Sequence, residues 1–278
     1  MDHKIILKEP LVSVNWLNDN LELPKLVILD ATMDKVSESA STGSVDIQIP
    51  KARFFDIKNK FSDTSNPFPN AVPSEDQFTL EAQNLGINKD SVIIVYDANG
   101  IYSSARTWWL FKAFGHDNVA VLDGGLPEWV RLNFKTEPKT KLARIKGNFI
   151  ATYNPEYFKF FNDVQSDMFD KNKLILDARS SDRFEGIVKE PREGLRSGSI
   201  PNSENLPYTE LLFQNKLKQM DELISIFDKF SFKEKNLIFS CGSGITACIL
   251  ALGADLAGHK NLSVYDGSWT EYGSLTKE

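Results

Sequence analysis

The sequence has little of what builds covalent or metal-held frameworks. Two cysteines, Cys241 and Cys248, and three histidines, His3, His116 and His259, are all that 278 residues contain. Two cysteines make no disulfide scaffold, and the histidines have no metal-ligand spacing to them. No apolar run approaches the roughly 18 residues of a membrane span. The opening residues Met1 to Pro10 lack the apolar core of a secretory leader. A basic excess is missing too: 32 Lys and Arg stand against 38 Asp and Glu, a formal net charge of −6. That balance argues against nucleic acid or an anionic membrane surface as a partner. Together these absences predict a soluble chain in the reducing cytoplasm, with neither disulfide nor metal.

What is present is an ordinary globular composition, 41% hydrophobic and 25% charged, in a chain long enough for two domains. Its order shows one unit written twice. Leu26-Val27-Ile28-Leu29-Asp30-Ala31 is matched by Leu174-Ile175-Leu176-Asp177-Ala178, and Ile49-Pro50 by Ile200-Pro201. Ser91-Val92-Ile93-Ile94-Val95-Tyr96-Asp97 is matched by Lys235-Asn236-Leu237-Ile238-Phe239-Ser240-Cys241. Val121-Leu122-Asp123-Gly124-Gly125 is matched by Val264-Tyr265-Asp266-Gly267-Ser268. Recurrence in one order at a nearly constant offset marks an internal repeat. Short apolar strands alternating with helical runs, clearest at 103–114 and 246–256, predict an α/β fold with a mainly parallel sheet in each half.

Chemistry concentrates in Ser240-Cys241-Gly242-Ser243-Gly244-Ile245-Thr246-Ala247, read as a strand end, a tight glycine loop and a helix start. Glycines on both sides of Ser243 let the backbone curl until several N–H groups face one point, and the helix start adds partial positive charge there. A thiol at that point is expected to favour its thiolate, so Cys241 is the candidate nucleophile. Cys248, inside the apolar helical run, is expected to be core packing. The first half carries Asp97 where the second carries Cys241, so only the second half is expected to do chemistry.

Tandem α/β units, a loop cysteine in the second alone, and the closing stretch Val264-Tyr265-Asp266-Gly267-Ser268-Trp269-Thr270-Glu271-Tyr272 resemble the rhodanese/sulfurtransferase family over about residues 12–273. The loop Cys241-Gly242-Ser243-Gly244-Ile245-Thr246-Ala247 is similar to that of the branch using 3-mercaptopyruvate. The thiosulfate branch carries Arg and Lys after the cysteine, where this chain has Gly242 and Ser243. The resemblance implies two tandem rhodanese-like domains, each a mainly parallel sheet flanked by helices. Residues 1–136 would form the domain without the catalytic cysteine, 137–149 a linker and 150–278 the catalytic domain. It implies a sulfurtransferase passing sulfur from a small-molecule donor, through a persulfide on Cys241, to a thiol such as thioredoxin or to cyanide, without a cofactor.

The same resemblance gives Ser243 a catalytic role and has Arg183 and Arg192 grip an α-keto carboxylate, which suits the planar guanidinium fork. Arg179 and Arg196 lie close enough in sequence to be confused with them. The backbone of Gly242, Gly244, Ile245 and Thr246 would hold the sulfur, and Tyr102 would reach the substrate from the first half. One departure stands out: the family's first domain usually offers a histidine in a proline-flanked turn as a proton relay. Here the turn reads Pro67-Phe68-Pro69-Asn70-Ala71-Val72-Pro73, with Asn70 in that place, and the relay's acid partner appears as Lys58 or Asn59. Two rival readings stay open: a thiosulfate:cyanide sulfurtransferase, and a catalytically weak sulfur carrier or binding module. A cysteine phosphatase is disfavoured by Ala247, where an arginine would close an anion loop.

Overall fold

Strands that are apolar along their whole length need cover on both faces, and parallel pairing needs helical crossovers that supply it. Val92–Tyr96 is buried at all five positions, and Asn236–Ser240 at four of five. A computed structural model of the chain, describing residues 5–34, 46–140, 145–230 and 235–277, shows the corresponding architecture. Its first compact unit comprises Met1–Phe61, Pro73–Asn154 and Gln214–Lys216; the second comprises Ser62–Val72, Pro155–Phe213 and Leu217–Glu278. Residues 141–144 of the expected linker lie outside the described residues, and Glu137–Pro138 at its start pairs antiparallel with Ile47–Gln48.

The main sheet of the first unit contains β1 (Leu11–Val12), β2 (Leu26–Asp30), β3 (Arg53–Phe54), β4 (Val92–Tyr96) and β5 (Val119–Leu122). Their order is β1-β5-β4-β2-β3, every neighbour parallel. The second unit repeats this with β6 (Phe158–Lys159), β7 (Lys173–Asp177), β8 (Glu204–Asn205), β9 (Asn236–Ser240) and β10 (Leu262–Tyr265), ordered β6-β10-β9-β7-β8 and again all parallel. The predicted α/β duplication is thus present down to strand order. Helices α1 (Ser104–Ala113) and α2 (Gly125–Arg131) follow β4 and β5; α3 (Ala247–Leu256) and α4 (Ser268–Leu275) follow β9 and β10. The helices read from sequence at 103–114 and 246–256 are therefore α1 and α3, α1 shorter by one residue at each end and α3 by one at its start.

Each core lies between sheet and helices. In the first, Ile28, Ile94, Ala120 and Trp129 pack together, with Trp108 and Trp109 buried on α1. In the second, Ile175, Ile238, Tyr265, Trp269 and Tyr272 do so. Cys248 is fully buried on α3, its thiol 3.3 Å from the Gly244 carbonyl. Among the described residues no helix is long and apolar enough to cross a membrane. In each unit the central strand, β4 or β9, delivers its C-terminal end to a glycine loop, the place where parallel sheets gather ligands.

Candidate active site

The loop after β9 is shaped by α4. The first N–H groups of a helix have no partner inside it. Here Trp269 N donates to the Cys241 carbonyl and Thr270 N to the Gly242 carbonyl, both at 3.0 Å, and Thr270 Oγ1 adds a second bond to Gly242 at 2.5 Å. With these carbonyls drawn toward α4, planar trans peptides turn the N–H groups of Gly242 and Ser243 the other way. Ser268 locks the base of the loop. Its Oγ accepts from Cys241 N and Gly244 N, each at 3.1 Å, donates to the Tyr265 carbonyl at 2.8 Å, and stands 3.9 Å from Cys241 Sγ. Gly244, at φ +75°, makes the turn that brings Ile245 and Thr246 round to the start of α3.

The result is a cradle around a 2% exposed thiol. The amides of Gly242, Ser243, Ile245, Thr246 and Ala247 have no carbonyl, carboxylate or hydroxyl partner among the described residues. Buried backbone N–H groups are rarely left unmatched, so a cluster of them is a site for an anion.

The first unit shows the same loop already filled. Asp97 occupies the Cys241 position, and Gly100 at φ +96° the Gly244 position. Asp97 Oδ2 accepts the N–H groups of Tyr102, Ser103 and Ser104 at 2.8, 3.0 and 2.9 Å, and Oδ1 that of Asn99 at 2.8 Å. Tyr102, half-buried, is held there through its backbone, in the first unit and not in the second.

Arginines close the second unit's cradle. A Cβ added to Gly242 would stand 3.4 Å from Arg183 Nη2 and 3.6 Å from Arg192 Nη1, so both guanidinium groups face the loop at a residue without a side chain. Arg192 Nη2 also donates to Ser243 Oγ at 3.1 Å. Arg183 is braced by Glu190, whose Oε2 takes Nη2 at 2.5 Å. The other face of Glu190 takes Arg179 Nη1 at 2.8 Å.

The two confusable arginines are used elsewhere. Arg179 is 2% exposed, forked onto Asp177 and stacked 4.8 Å from the Trp269 ring. Burial works against its charge, but Asp177 and Glu190 more than offset this and raise its pKa above the ordinary arginine value. Arg196 lies over the same ring at 4.5 Å and bonds Thr276. Asn70, carried on the Ser62–Val72 segment of the second unit, donates from Nδ2 to Ser243 Oγ at 3.0 Å and to the Ser243 carbonyl at 3.3 Å.

The structure therefore brings together Cys241, Gly242, Ser243, Gly244, Ile245, Thr246, Arg183 and Arg192 in the second unit, but the Gly244 N–H, expected on the sulfur, is taken by Ser268 Oγ at 3.1 Å. Sequence reasoning overlooked Ser268, Thr270, Asp177 and Glu190. A signal for Ser268 existed in the repeat: it aligns with Gly125, and both have φ near +50°, at 50° and 52°. A serine kept where a glycine is easy marks a strained position retained for its side chain.

The rhodanese-like domain family matches this chain twice, over residues 13–132 and 161–275. Human 3-mercaptopyruvate sulfurtransferase is 36% identical across 94% of this chain and 91% of its own length. The 3-mercaptopyruvate sulfurtransferase of Escherichia coli is likewise 36% identical, across 95% and 94%. The crystal structure of SseA from Escherichia coli superposes with a TM-score of 0.83 over 94% of this chain and 99% of that one, at 34% identity. With two matched segments that span both units and full-length relatives above 30% identity, the chain belongs to the rhodanese-like domain family.

Proposed function

We propose that this chain is a 3-mercaptopyruvate sulfurtransferase, with Cys241 as the sulfur-carrying nucleophile. The observation that carries the reading is the pairing of two guanidinium groups with an amide-lined thiol at Gly242. An α-keto acid offers a planar array of carboxylate and keto oxygens that Arg183 and Arg192 suit, while its sulfur faces the thiol. Relatives named for 3-mercaptopyruvate support the same choice.

The thiolate of Cys241 attacks the donor sulfur, an S–S bond forms, and the donor C–S bond breaks. The electron pair passes into the enolate of pyruvate, stabilised by the two arginines. The proton of the donor thiol ends on the enolate carbon, giving pyruvate and a Cys241 persulfide anion. Amides of Gly242, Ser243, Ile245 and Thr246 stabilise that anion. A thiolate, such as that of thioredoxin, or cyanide then attacks the outer sulfur and returns Cys241 as thiolate, a ping-pong cycle. None of these steps calls for a metal or an organic cofactor. Neither cysteine is in a disulfide, and the reading keeps the chain in the reducing cytoplasm, where Cys241 stays available. The first unit acts as the non-catalytic domain and the second, which holds Cys241, as the catalytic one.

Pyruvate release from 3-mercaptopyruvate with a thiol acceptor, beside thiocyanate formation from thiosulfate and cyanide, tests this. The expected result is Cys241-dependent pyruvate release with weak thiosulfate turnover. Dominant thiosulfate turnover would instead favour the rival donor. Turnover of neither donor, with Cys241 still open to alkylation, would favour a carrier role.

A further inference from the structure

The hydroxyl of Ser243 has a hydrogen-bonding pattern that fixes which way its proton points. A serine oxygen can accept two hydrogen bonds and donate one. Ser243 Oγ accepts from Asn70 Nδ2 at 3.0 Å and from Arg192 Nη2 at 3.1 Å. Arginine can only donate. The Asn70 amide is oriented unambiguously as well. The end facing Ser243 also lies 3.3 Å from the Ser243 carbonyl oxygen, which can only accept, so that end is the NH2 group. Both lone pairs of Ser243 are therefore occupied. Its hydrogen takes the remaining direction, where no protein acceptor stands among the described residues.

We infer that Asn70 is a positioning residue that makes Ser243 a dedicated hydrogen-bond donor to the anion in the Cys241 cradle. Ser243 cannot take a proton from the donor thiol, because no lone pair is left to receive it. Asn70 cannot relay one near neutral pH. The proton passes to the enolate without crossing Ser243, and the serine works by electrostatics alone, adding an O–H to the loop amides around the sulfur. The backbone supports this assignment. Asn70 sits at φ +63°, a conformation asparagine tolerates better than most residues, and its segment is pinned by Val72 N donating to Asp266 Oδ2 at 2.8 Å. This inference rests on the sulfurtransferase reading for what the anion is, and on geometry alone for where the hydrogen points.

A double-mutant cycle tests the link. Asn70→Gly keeps the positive φ without strain and removes only the amide. It should lower kcat for pyruvate release about tenfold, with KM changed much less. In a Ser243→Ala background, itself slowed, the same substitution should have almost no further effect, because a residue acting through Ser243 has nothing left to act on. An equal loss in both backgrounds, or a loss below about twofold in the parent, would overturn the proposal. Neutron diffraction from deuterated crystals tests the hydrogen directly and without turnover. Deuterium on Ser243 Oγ pointing away from Asn70 and Arg192 is expected, and deuterium pointing at Asn70 would refute it. If the parent protein released no pyruvate, the sulfurtransferase reading would fall while the neutron result still decided the placement.

Discussion

Cys241 is ordinary as a residue and unusual in its surroundings. Its own backbone N–H and that of Gly244 are tied to Ser268 and its carbonyl to α4, while the amides of Gly242, Ser243, Ile245 and Thr246 have no protein oxygen as partner among the described residues. The arginines can be tested one at a time. Arg183→Gln and Arg192→Gln each remove a charge from the α-keto carboxylate while keeping an amide in place. Each should lower kcat/KM for 3-mercaptopyruvate by about 10²-fold. Arg196→Gln, whose guanidinium is committed to Thr276 and Trp269, should stay within about threefold. Steady-state kinetics separates the two groups, and equal losses for all three would remove Arg183 and Arg192 from the site.

What could be read from sequence at this scale followed residue chemistry. Cysteine beside glycine and arginine in an acidic loop announce themselves by type. Ser268 does not, because its importance lies in a backbone angle and two amides that converge only after folding. Glu190 was hidden for the opposite reason. An acid in a charged stretch reads as solvated, yet it is buried and braces Arg183 and Arg179 together.

At the scale of elements, the two strand–loop–helix motifs are one design with different occupants. Counted in bonds from Cα, an Asp97 carboxylate oxygen corresponds to the outer sulfur of a cysteine persulfide. The first unit's loop thus holds permanently, as a carboxylate, what the second is proposed to hold during turnover. Asp97 therefore has a structural duty. Asp97→Ala would leave the N–H groups of Tyr102, Ser103 and Ser104 buried without an acceptor, at about 3 kcal/mol of stability. Urea unfolding measures this, and a change under about 0.5 kcal/mol would contradict it. The pairing was visible in sequence as Asp97 against Cys241. That Asp97 fills the cradle was not, since the contacts run five to seven residues ahead through a turn whose path depends on Gly100.

For the molecule as a whole, duplication explains why the mainly parallel α/β pattern and the two clearest helices were legible while strand order was not. Apolar strands and helical runs repeat in the sequence, and each unit realises them in the same parallel order. The segment Ser62–Val72, by contrast, lies within the first half of the chain and packs as part of the second unit, which no local pattern announces. Stability of the whole should depend on pH through His116. That ring is buried against Phe111 and Phe149, with Nε2 3.0 Å from the Ser91 carbonyl, and burial holds its pKa below the usual 6.5. The unfolded chain therefore binds the proton more readily, and the stability His116 contributes is present above pH 6.5 and lost as pH falls from there toward its folded pKa. His116→Gln should flatten that decline in thermal unfolding measured between about pH 7.5 and 5.5. An unchanged slope would assign the decline elsewhere, His259 being shifted in the same direction by its own burial.

The central claim is that sulfur passes through Cys241, and intact-protein and peptide mass spectrometry after brief exposure to 3-mercaptopyruvate tests it most directly. A gain of one sulfur atom is expected, located on Cys241, removed by cyanide or a thiol and absent in Cys241→Ser. Pyruvate released at the parent rate by Cys241→Ser, or an added sulfur found on Cys248 instead, would contradict it.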